Sequence, residues 1–426
     1  MRVGHIWRSA MIGAAALLAA PLPAQPAAPA MAPAASQLAI DLFYTSRNGP
    51  LVWFASADTR AAAAKLSVLL RRAEIDGLAE GPAMAASVAA AIARGQPADD
   101  RIISSAWVRY VQAVKAPVPG VHYGDPALAL RAPSVEAILS EARLAASLSV
   151  LVDQVAAVNP LYAALRDTAA SAGAAADPRV RATLDRLRLI PATGRAILVD
   201  AASAQLWMLE DGRPVDTMKV IVGKKKSATP LLAGTIHYIT FNPYWNLPDD
   251  VARVNVAPLV IKRGVKYLKA ARYVTADGFG QQAELVDATS IDWKAVAAGE
   301  APVHLRQLPG ANNMMGAMKF GFVNDFDIFL HDTPGKTLFA KGDRTLSMGC
   351  VRLEHADRLA HWLLGREPEA PSPDPEQHVQ LETGMPVYVS YLTAKVEDGR
   401  LAFAEDVYGL DPKVEVAAID SATAPN

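Results

Sequence analysis

The sequence predicts an α+β protein in which a helical N-terminal region precedes a β-rich region with a helical insertion. Apolar residues recur at helical spacing over 37–190, short β-branched and aromatic runs begin after Pro191, and helical spacing returns over 249–310. A chain of 426 residues, 51% hydrophobic and 20% charged, has room for two or three domains. Its 42 basic and 43 acidic residues give no excess of positive charge, which argues against a nucleic acid partner.

The first residues have the pattern of a secretory signal peptide. Arg2 and Arg8 supply positive charge, residues 10–20 form an apolar stretch, and small residues follow it. An apolar stretch of this length is shorter than the about 20 residues that a membrane-spanning helix needs. We therefore expect a signal peptide over 1–24, a disordered Ala/Pro-rich linker over 25–36 and export to the periplasm, with an uncleaved anchor as the alternative.

Residues 37–190 are predicted to form a helical scaffold domain. It shows no catalytic constellation and no repeat of fixed period, so we interpret it as a support for another domain. Its predicted helices combine apolar spacing with a start or stop residue. Three of them cover 61–73, 84–94 with a stop at Gly95, and a span from Asp99 or Asp100 to Lys115. Three more begin at Pro133-Ser134, Pro160 and Asp177-Pro178.

The β-rich region is predicted to extend over 191–392. Three runs within 196–222 have strand composition, and Asp211-Gly212 between two of them is a hairpin signal. Residues 393–426 are charged and Ala-rich, and are predicted to form a C-terminal tail. Further strands are predicted around 235–241, 320–323, 327–331 and 386–392.

The only cysteine of the chain lies in the one segment that has the residues of a nucleophilic site. Cys350 follows Gly349 and lies nineteen residues after His331, which ends an apolar strand. A free thiol has a pKa of about 8.5, so it needs a base such as an imidazole to react near neutral pH. Gly349 lets a substrate carbonyl approach the backbone, where the amides of Gly349 and Cys350 could meet an oxyanion. The order, histidine before cysteine, excludes the papain arrangement.

These residues, written His331-x-x-Pro334…Ser347-Met348-Gly-Cys-Val-Arg352, resemble the active-site motif of the YkuD-type L,D-transpeptidases, His-x-x-Pro…Ser-His-Gly-Cys-(Val/Ile)-Arg. Met348 stands where the family has histidine. Other stretches resemble the large, scaffold-bearing (YcbB-like) branch of the family. Members of this branch often carry a peptidoglycan-binding domain between scaffold and catalytic domain, but the sequence before residue 191 leaves no room for one. These stretches are 307–320, 222–223 with 229–230, 242–248, Phe43-Tyr44 with Arg47, and 74–78.

The resemblance implies an N-terminal scaffold, a β-rich L,D-transpeptidase catalytic domain and a capping subdomain at 249–310. It further implies an enzyme that crosslinks peptidoglycan stem peptides through a thioester on Cys350, with His331 as the base, and that carbapenems acylate. We expect no metal, no organic cofactor and a monomer. Candidate substrate-binding residues are Arg352, Tyr244, Trp245, Ser347, Met348 and Asn324, with weaker candidates in Lys319 and Arg344.

Several alternatives remain open at this point. Water as the acceptor would make the same site a carboxypeptidase or a crosslink hydrolase, and a free D-amino acid would give exchange. The crosslink could be of the 3,3 or the 1,3 type, because acceptor choice depends on groove shape. A different class of function is a wall-binding protein that kept the fold and lost catalysis, with Met348 as the trace of that loss.

Overall fold

The structure is a computed structural model that describes residues 33–45, 51–279 and 283–412. The predicted signal peptide, most of the predicted linker, Arg47 and the last part of the predicted tail lie outside these residues. Within the described ranges, no single helix is long and apolar enough to cross a membrane. One pair of consecutive helices has the length and apolar composition of a membrane span when the two are taken together, but they are bent by 79° relative to each other.

The N-terminal region is helical, as the sequence predicts. The predicted stop at Gly95 is confirmed by its left-handed φ of 62°, and the predicted starts at Pro160 and Pro178 are capped by the side chains of Asn159 and Asp177. The first helix begins at Pro33, so the last residues of the predicted linker are helical. The helices are α1 (Pro33–Thr45), α2 (Ala57–Leu70), α3 (Gly81–Arg94), α4 (Asp99–Val114), α5 (Val135–Leu144), α6 (Leu148–Ala157), α7 (Pro160–Ser171) and α8 (Pro178–Leu187).

A buried carboxylate ties the early helices to α7. Asp76 accepts hydrogen bonds from the hydroxyls of Tyr162 at 2.8 Å and Tyr110 at 3.2 Å, and Arg166 lies 3.7 Å away. Burial raises the pKa of Asp76, an effect that the charge of Arg166 opposes. The stretch 74–78 therefore serves the scaffold rather than the chemistry.

The β-rich region is a closed barrel of eight strands. Its order is β5-β13-β2-β3-β4-β12-β10-β9, and the ring closes because β9 also pairs with β5. The short β1 from the helical region adds to β5, and β11 adds to β4. The strands are β1 (His122–Tyr123), β2 (Arg195–Asp200), β3 (Gln205–Glu210), β4 (Arg213–Gly223), β5 (Leu232–Phe241), β6 (Trp245–Asn246), β7 (Tyr273–Ala276), β8 (His304–Gln307), β9 (Met318–Phe322), β10 (Phe329–His331), β11 (Thr345–Ser347), β12 (Val351–Leu353) and β13 (Gln377–Ser390).

The barrel places its apolar side chains in two cores. The predicted hairpin at Asp211-Gly212 is confirmed, since both residues have positive φ (48° and 68°) between β3 and β4. Along β2, Ile197 and Val199 enter one core, whereas Ala196 and Leu198 enter a second core that α7 and α8 complete. The helical region thus covers one outer face of the barrel.

The insertion predicted as helical over 249–310 also contains a three-stranded sheet in the order β6-β8-β7. Its strands have two to four residues, which is too short for a period-two pattern to appear in the sequence. The insertion is therefore helical as predicted, but the small sheet inside it was not predicted. The helices that cover this sheet, together with a π-helical turn over 252–256, are α9 (Asp249–Val251), α10 (Ala257–Arg263), α11 (Lys266–Ala270) and α12 (Trp293–Ala298).

The predicted C-terminal tail is ordered over its described part. After α13 (Ala356–Leu364) and β13, the chain forms a hairpin of β14 (Ala394–Glu397) and β15 (Arg400–Phe403). The C-terminal segment, residues 404–412, then packs back on the barrel through Tyr408, whose ring stacks on Tyr391. The charged and Ala-rich composition therefore did not reveal that this stretch forms a hairpin and packs on the barrel.

Candidate active site

Strand pairing brings the histidine and the cysteine of the motif together. In the parallel pair of β10 and β12, His331 lies opposite Arg352, and Leu330 lies opposite Val351. Leu330 and Val351 are buried in the barrel core, so His331 and Arg352 project from the opposite face. Cys350 immediately precedes β12 and lies about 7 Å along the strand direction from the level of His331, by the rise of two residues.

The thiol of Cys350 rests between two backbone groups of the preceding strand and its loop. The Sγ atom donates to the carbonyl of Asp327 at 3.5 Å, and the Phe329 amide stabilises the thiolate form. Burial raises the pKa of the thiol, while the Phe329 amide and the charges of Arg352 and Lys319 oppose that rise. In this geometry the thiol is protonated at neutral pH.

His331 is held as a neutral imidazole. It is 5% exposed, and its Nδ1 lies 2.6 Å from the backbone oxygen of Asp332, which can only accept a hydrogen bond. We therefore assign the proton to Nδ1, which leaves Nε2 unprotonated in the neutral ring. Burial lowers the pKa of His331 to about 4, against the opposing effects of the carbonyls of Asp332 and Met315. The residue is a base that is already unprotonated at any physiological pH.

The loop before Cys350 is braced by Ser347. Its hydroxyl donates to the carbonyl of Cys350 at 2.6 Å and accepts from the amide of Gly349 at 3.1 Å. The expectation that the Gly349 amide points at an oxyanion was wrong, because this amide is already engaged. Gly349 has a φ of 127°, and a Cβ there would lie 2.9 Å from the side chain of Ile328, so its role is conformational.

Asn324 braces the loop on the other side of the thiol. Its Nδ2 donates to the carbonyls of Phe322 and Ile328, and its Oδ1 accepts from the amides of Phe326 and Ile328, all between 2.9 and 3.1 Å. All four side-chain contacts are with its own loop, so the expectation that Asn324 binds substrate was wrong in this geometry. The side chain fixes the turn that presents the Asp327 carbonyl to Cys350.

Positive charge surrounds the thiol. Arg352 is partly buried, and its Nε is buried without a hydrogen-bond partner in the described part of the chain. Burial lowers its pKa, which is the cost of holding a guanidinium away from water. Lys319, opposite His331 on the neighbouring β9, lies 5.2 Å from the ring of Phe329 and 4.0 Å from a carboxylate oxygen of Glu376.

The remaining candidates have other contacts or face solvent. Tyr244 carries the guanidinium of Arg306 over its ring at 5.3 Å, and Trp245 packs with the core of the insertion. The side chain of Met348 is 54% exposed beside the buried Ser347 and Gly349. Arg344 donates to the carbonyls of Val220, Ser203 and Ala204, so it is a structural residue.

Three residues of this site were not identified as site residues from the sequence. Asp327 supplies the carbonyl that accepts from the thiol, and Thr229 donates from its Oγ1 to the carbonyl of Gly349 at 2.7 Å. Tyr408 donates to the carbonyl of Gly223 at 2.6 Å. Thr229 lies in a stretch that resembles the family, whereas Tyr408 had only the weak signal of an aromatic residue before a glycine.

Comparison with known families divides the chain into two matched parts. Residues 194–389 match the family described as the L,D-transpeptidase catalytic domain (YkuD), and residues 39–168 match the family described as the scaffold domain. Both matched regions follow the division between helices and barrel.

Within the described residues, no group of three or more His, Cys, Asp or Glu side chains is arranged to hold a metal ion.

A Haemophilus influenzae protein whose name assigns it provisionally to the L,D-transpeptidases is 31% identical over 242 residues, which are 55% of this chain and 48% of that protein. The chain thus spans about half the length of this curated relative. Among solved structures, an L,D-transpeptidase from Mycobacterium smegmatis is 13% identical, with a TM-score of 0.23 over 46% of this chain and 60% of that one. L,D-transpeptidase 3 from Mycobacterium tuberculosis, solved with a faropenem-derived adduct, is 13% identical, with a TM-score of 0.24 over 46% and 61% of the two chains.

Proposed function

Because this chain carries a catalytic domain of the YkuD L,D-transpeptidase family behind a scaffold domain, we propose that it is a peptidoglycan L,D-transpeptidase with Cys350 as its nucleophile. The observation that carries the proposal is the pairing of β10 with β12, which brings a thiol and a buried neutral imidazole to one edge of the barrel. A thiol and a neutral base on adjacent strands are the groups that acyl transfer through a thioester requires.

The first step is acylation of the enzyme. The Sγ of Cys350 attacks the carbonyl of the L-centred third residue in a donor stem peptide, and Nε2 of His331 takes the thiol proton. When the C–N bond breaks, His331 returns this proton to the departing amine of the D-amino acid. The products are a thioester on Cys350 and a free D-amino acid, and the imidazole is neutral again.

The second step transfers the acyl group. An amine of a neighbouring stem peptide attacks the thioester carbonyl, Nε2 of His331 takes the amine proton, and the thiolate leaves and recovers that proton. The product is a crosslink between two stems. Water in place of the amine gives a carboxypeptidase or hydrolase, and a free D-amino acid gives exchange.

Arg352 and Lys319 suit a substrate rich in carboxylates. Arg352 is partly buried and its Nε has no hydrogen-bond partner in the described part of the chain, so a stem carboxylate bound at the accessible part of the guanidinium offsets the cost of burying this charge. The carboxylate of Glu376, 4.0 Å from the ammonium of Lys319, partly neutralises the positive charge there. We place the reaction in the periplasm, on the basis of the signal-peptide pattern, with the protein acting as a monomer.

The test is to incubate the purified protein with defined stem-containing muropeptides and to identify the products by mass spectrometry. We expect a crosslinked dimer from wild type and none from Cys350→Ala or His331→Ala. The matched control is His361→Ala, which alters a histidine that is half exposed on α13 and pairs with Glu367. Monomer shortened without dimer would identify a hydrolase, and product from Cys350→Ala would refute the mechanism.

Inhibition gives a second test of the nucleophile. A carbapenem should add once to wild type, and peptide mapping should place the adduct on Cys350, because an acyl-enzyme at this cysteine is the proposed intermediate. An adduct on a serine, or the same adduct on Cys350→Ala, would contradict the proposal. If neither muropeptide nor carbapenem reacts with wild type, the non-catalytic wall-binding alternative gains support.

A further inference from the structure

The C-terminal segment, residues 404–412, lies outside both regions that match a known family, yet it contacts the active-site loops. The hydroxyl of Tyr408 donates to the carbonyl of Gly223 at 2.6 Å and accepts from the amide of Thr229 at 3.5 Å. Burial raises the pKa of Tyr408, so the hydroxyl stays protonated and able to donate.

The loop that Tyr408 contacts is bonded in turn to the segment that carries the nucleophile. Thr229 donates from Oγ1 to the carbonyl of Gly349 at 2.7 Å and accepts from the amide of Gly223 at 2.9 Å. The amide of Lys224 donates to the carbonyl of Ser347 at 3.0 Å. Residues 223–229 therefore hold the peptide between Ser347 and Met348 and the peptide between Gly349 and Cys350.

This loop is packed with little room for adjustment. A Cβ on Gly223 would lie 2.0 Å from the carbonyl oxygen of Ser227, so the turn of the loop depends on a glycine. Gly349 has a φ of 127°, a backbone conformation that glycine adopts and other residues rarely do. The hydrogen bond from Thr229 is made to the carbonyl of this glycine.

Tyr408 is itself anchored on its far side. Its ring stacks on Tyr391 with centroids 5.2 Å apart, and its amide donates to the hydroxyl of Tyr391 at 2.9 Å. That hydroxyl donates to Asp406 at 2.8 Å, and Arg186 of α8 binds Asp411 at 2.8 Å. These contacts hold the phenol of Tyr408 in place and connect α8 to the loop that precedes Cys350.

We propose that Tyr408 is a positioning residue for Cys350, acting through the Gly223 carbonyl and the Thr229 side chain on the Gly349 peptide. The inference rests on the proposed function for its rate effect, but its geometric part concerns only the environment of the thiol. A displacement of about 1 Å at a reacting group can lower a rate by about 100-fold, so loss of this hydroxyl should affect turnover more than binding.

The test is Tyr408→Phe, which keeps the stacked ring and removes the hydroxyl. We expect kcat on muropeptides to fall by about 10- to 100-fold with KM changed by less than about three-fold, because the reacting group moves while substrate contacts stay. The pH profile of Cys350 alkylation should also shift relative to wild type. The matched control is Tyr238→Phe on β5, which removes a phenol hydroxyl from a ring that packs on His378.

A second variant tests the route of the effect. Thr229→Val removes the next hydroxyl, and the double variant with Tyr408→Phe should be no slower than the slower single variant if both act through Gly349. Multiplicative rate losses would overturn the proposed route. If Tyr408→Phe unfolds, the folded Thr229→Val must show the same shift in the alkylation profile, or the proposal fails.

Alkylation separates this proposal from the proposed function. If wild type makes no crosslink but Tyr408→Phe shifts the alkylation profile, the positioning role holds and the transpeptidase proposal fails. If crosslinks form and Tyr408→Phe equals wild type and Tyr238→Phe in both assays, the function holds and the positioning role is refuted.

Discussion

Burial of His331 determines the resting protonation state of the proposed base and, with it, of the pair that it forms with Cys350. The imidazole pKa falls to about 4 and the thiol pKa rises, so the resting pair is neutral rather than a thiolate–imidazolium ion pair. Proton transfer must then accompany attack on the carbonyl. Such a site avoids exposing a reactive thiolate when no substrate is bound.

The neutral pair predicts the ultraviolet thiolate signal of the free protein. Wild type should show no thiolate absorbance at pH 7, and the signal should grow only above the ordinary thiol pKa of about 8.5, because burial raises the pKa of Cys350. Cys350→Ala, which has no thiol, provides the blank. A thiolate signal that is already full at neutral pH would mean that an ion pair forms and that burial does not dominate.

The same burial predicts how folding stability depends on pH. His331 has a pKa of about 4 when folded and 6.5 when unfolded, so above pH 6.5 both states are neutral and the free energy of unfolding is unaffected. Between pH 6.5 and about 4, the unfolded state gains a proton that the folded state does not, so the free energy of unfolding decreases as the pH is lowered. The total decrease is about 3 kcal/mol. Denaturant unfolding of wild type and His331→Gln at several pH values measures this, and equal slopes in the two proteins would contradict it.

Met348 is predicted to be a bystander to the chemistry. Its side chain is 54% exposed, and Ser347 and Gly349 on either side hold the loop without it. Met348→His should therefore give the same products as wild type at rates within about one to two orders of magnitude, or at most about 3 kcal/mol in barrier. Product analysis on defined muropeptides tests this. Activity that appears only in the variant would favour a decayed natural site, and a new crosslink type would mean that residue 348 positions the donor stem.

At the residue scale, the sequence predicted the pair of residues that we propose carries the chemistry, but it did not predict the contacts of the loops around them. Cys350 and His331 stand in a local motif, and strand pairing brings them together. The engagement of the Gly349 amide by Ser347 and the closed contact set of Asn324 depend on loop conformation, which no spacing rule encodes. Tyr408 lies far from the motif along the chain, so only the fold reveals its contact with Gly223.

At the scale of elements, the loop that presents the Asp327 carbonyl is supported from the helical region. Gly124, which follows β1, passes so close that a Cβ there would lie 1.7 Å from the carbonyl oxygen of Val323. The ring of His122 packs edge-on against Phe326 with centroids 4.6 Å apart. A two-residue strand therefore connects the scaffold with the thiol's own loop.

Gly124→Ala is predicted to displace residues 323–328 and with them the Asp327 carbonyl. Overpacking of this kind typically costs about 1–3 kcal/mol, and the rate of Cys350 acylation should fall more than the small stability loss explains. The control is Gly321→Ala on β9, where a Cβ would meet nothing within 4 Å. Equal acylation rates in the two variants would show that the loop adjusts without consequence for the thiol.

Element length decided which elements the sequence could predict. The helices and the Asp211-Gly212 hairpin have start, stop and turn residues of their own, and they were predicted. The strands of the insertion have two to four residues and gain their stability from cross-strand pairing, so no periodic signal marks them. The hairpin of β14 and β15 was also predictable, since its turn, Asp398-Gly399, has the same signal as Asp211-Gly212 and both residues have positive φ (49° and 73°), but it was interpreted as part of a tail.

At the scale of the whole molecule, the two matched regions share a core. Leu165 of α7 and Leu184 of α8 pack in the same cluster as Leu198 of β2 and Tyr388 of β13. Neither α7 nor the end of α8 belongs to the barrel, yet both cover its outer face. The helices α7 and α8 therefore contribute to the stability of the barrel.

This shared core predicts a rank order of stability for three forms of the chain: the full protein, then residues 160–412, then residues 194–412. The form 160–412 keeps α7 and α8 but loses the Asp76 carboxylate that accepts from Tyr162 and faces Arg166. The form 194–412 also exposes Leu198 and its neighbours, and each large apolar side chain that loses burial costs about 1.5–3 kcal/mol. Denaturant midpoints and near-ultraviolet circular dichroism measure the order. If 194–412 unfolds at the same midpoint as 160–412, the barrel is stable without its helical cover, and the contribution assigned to α7 and α8 is wrong.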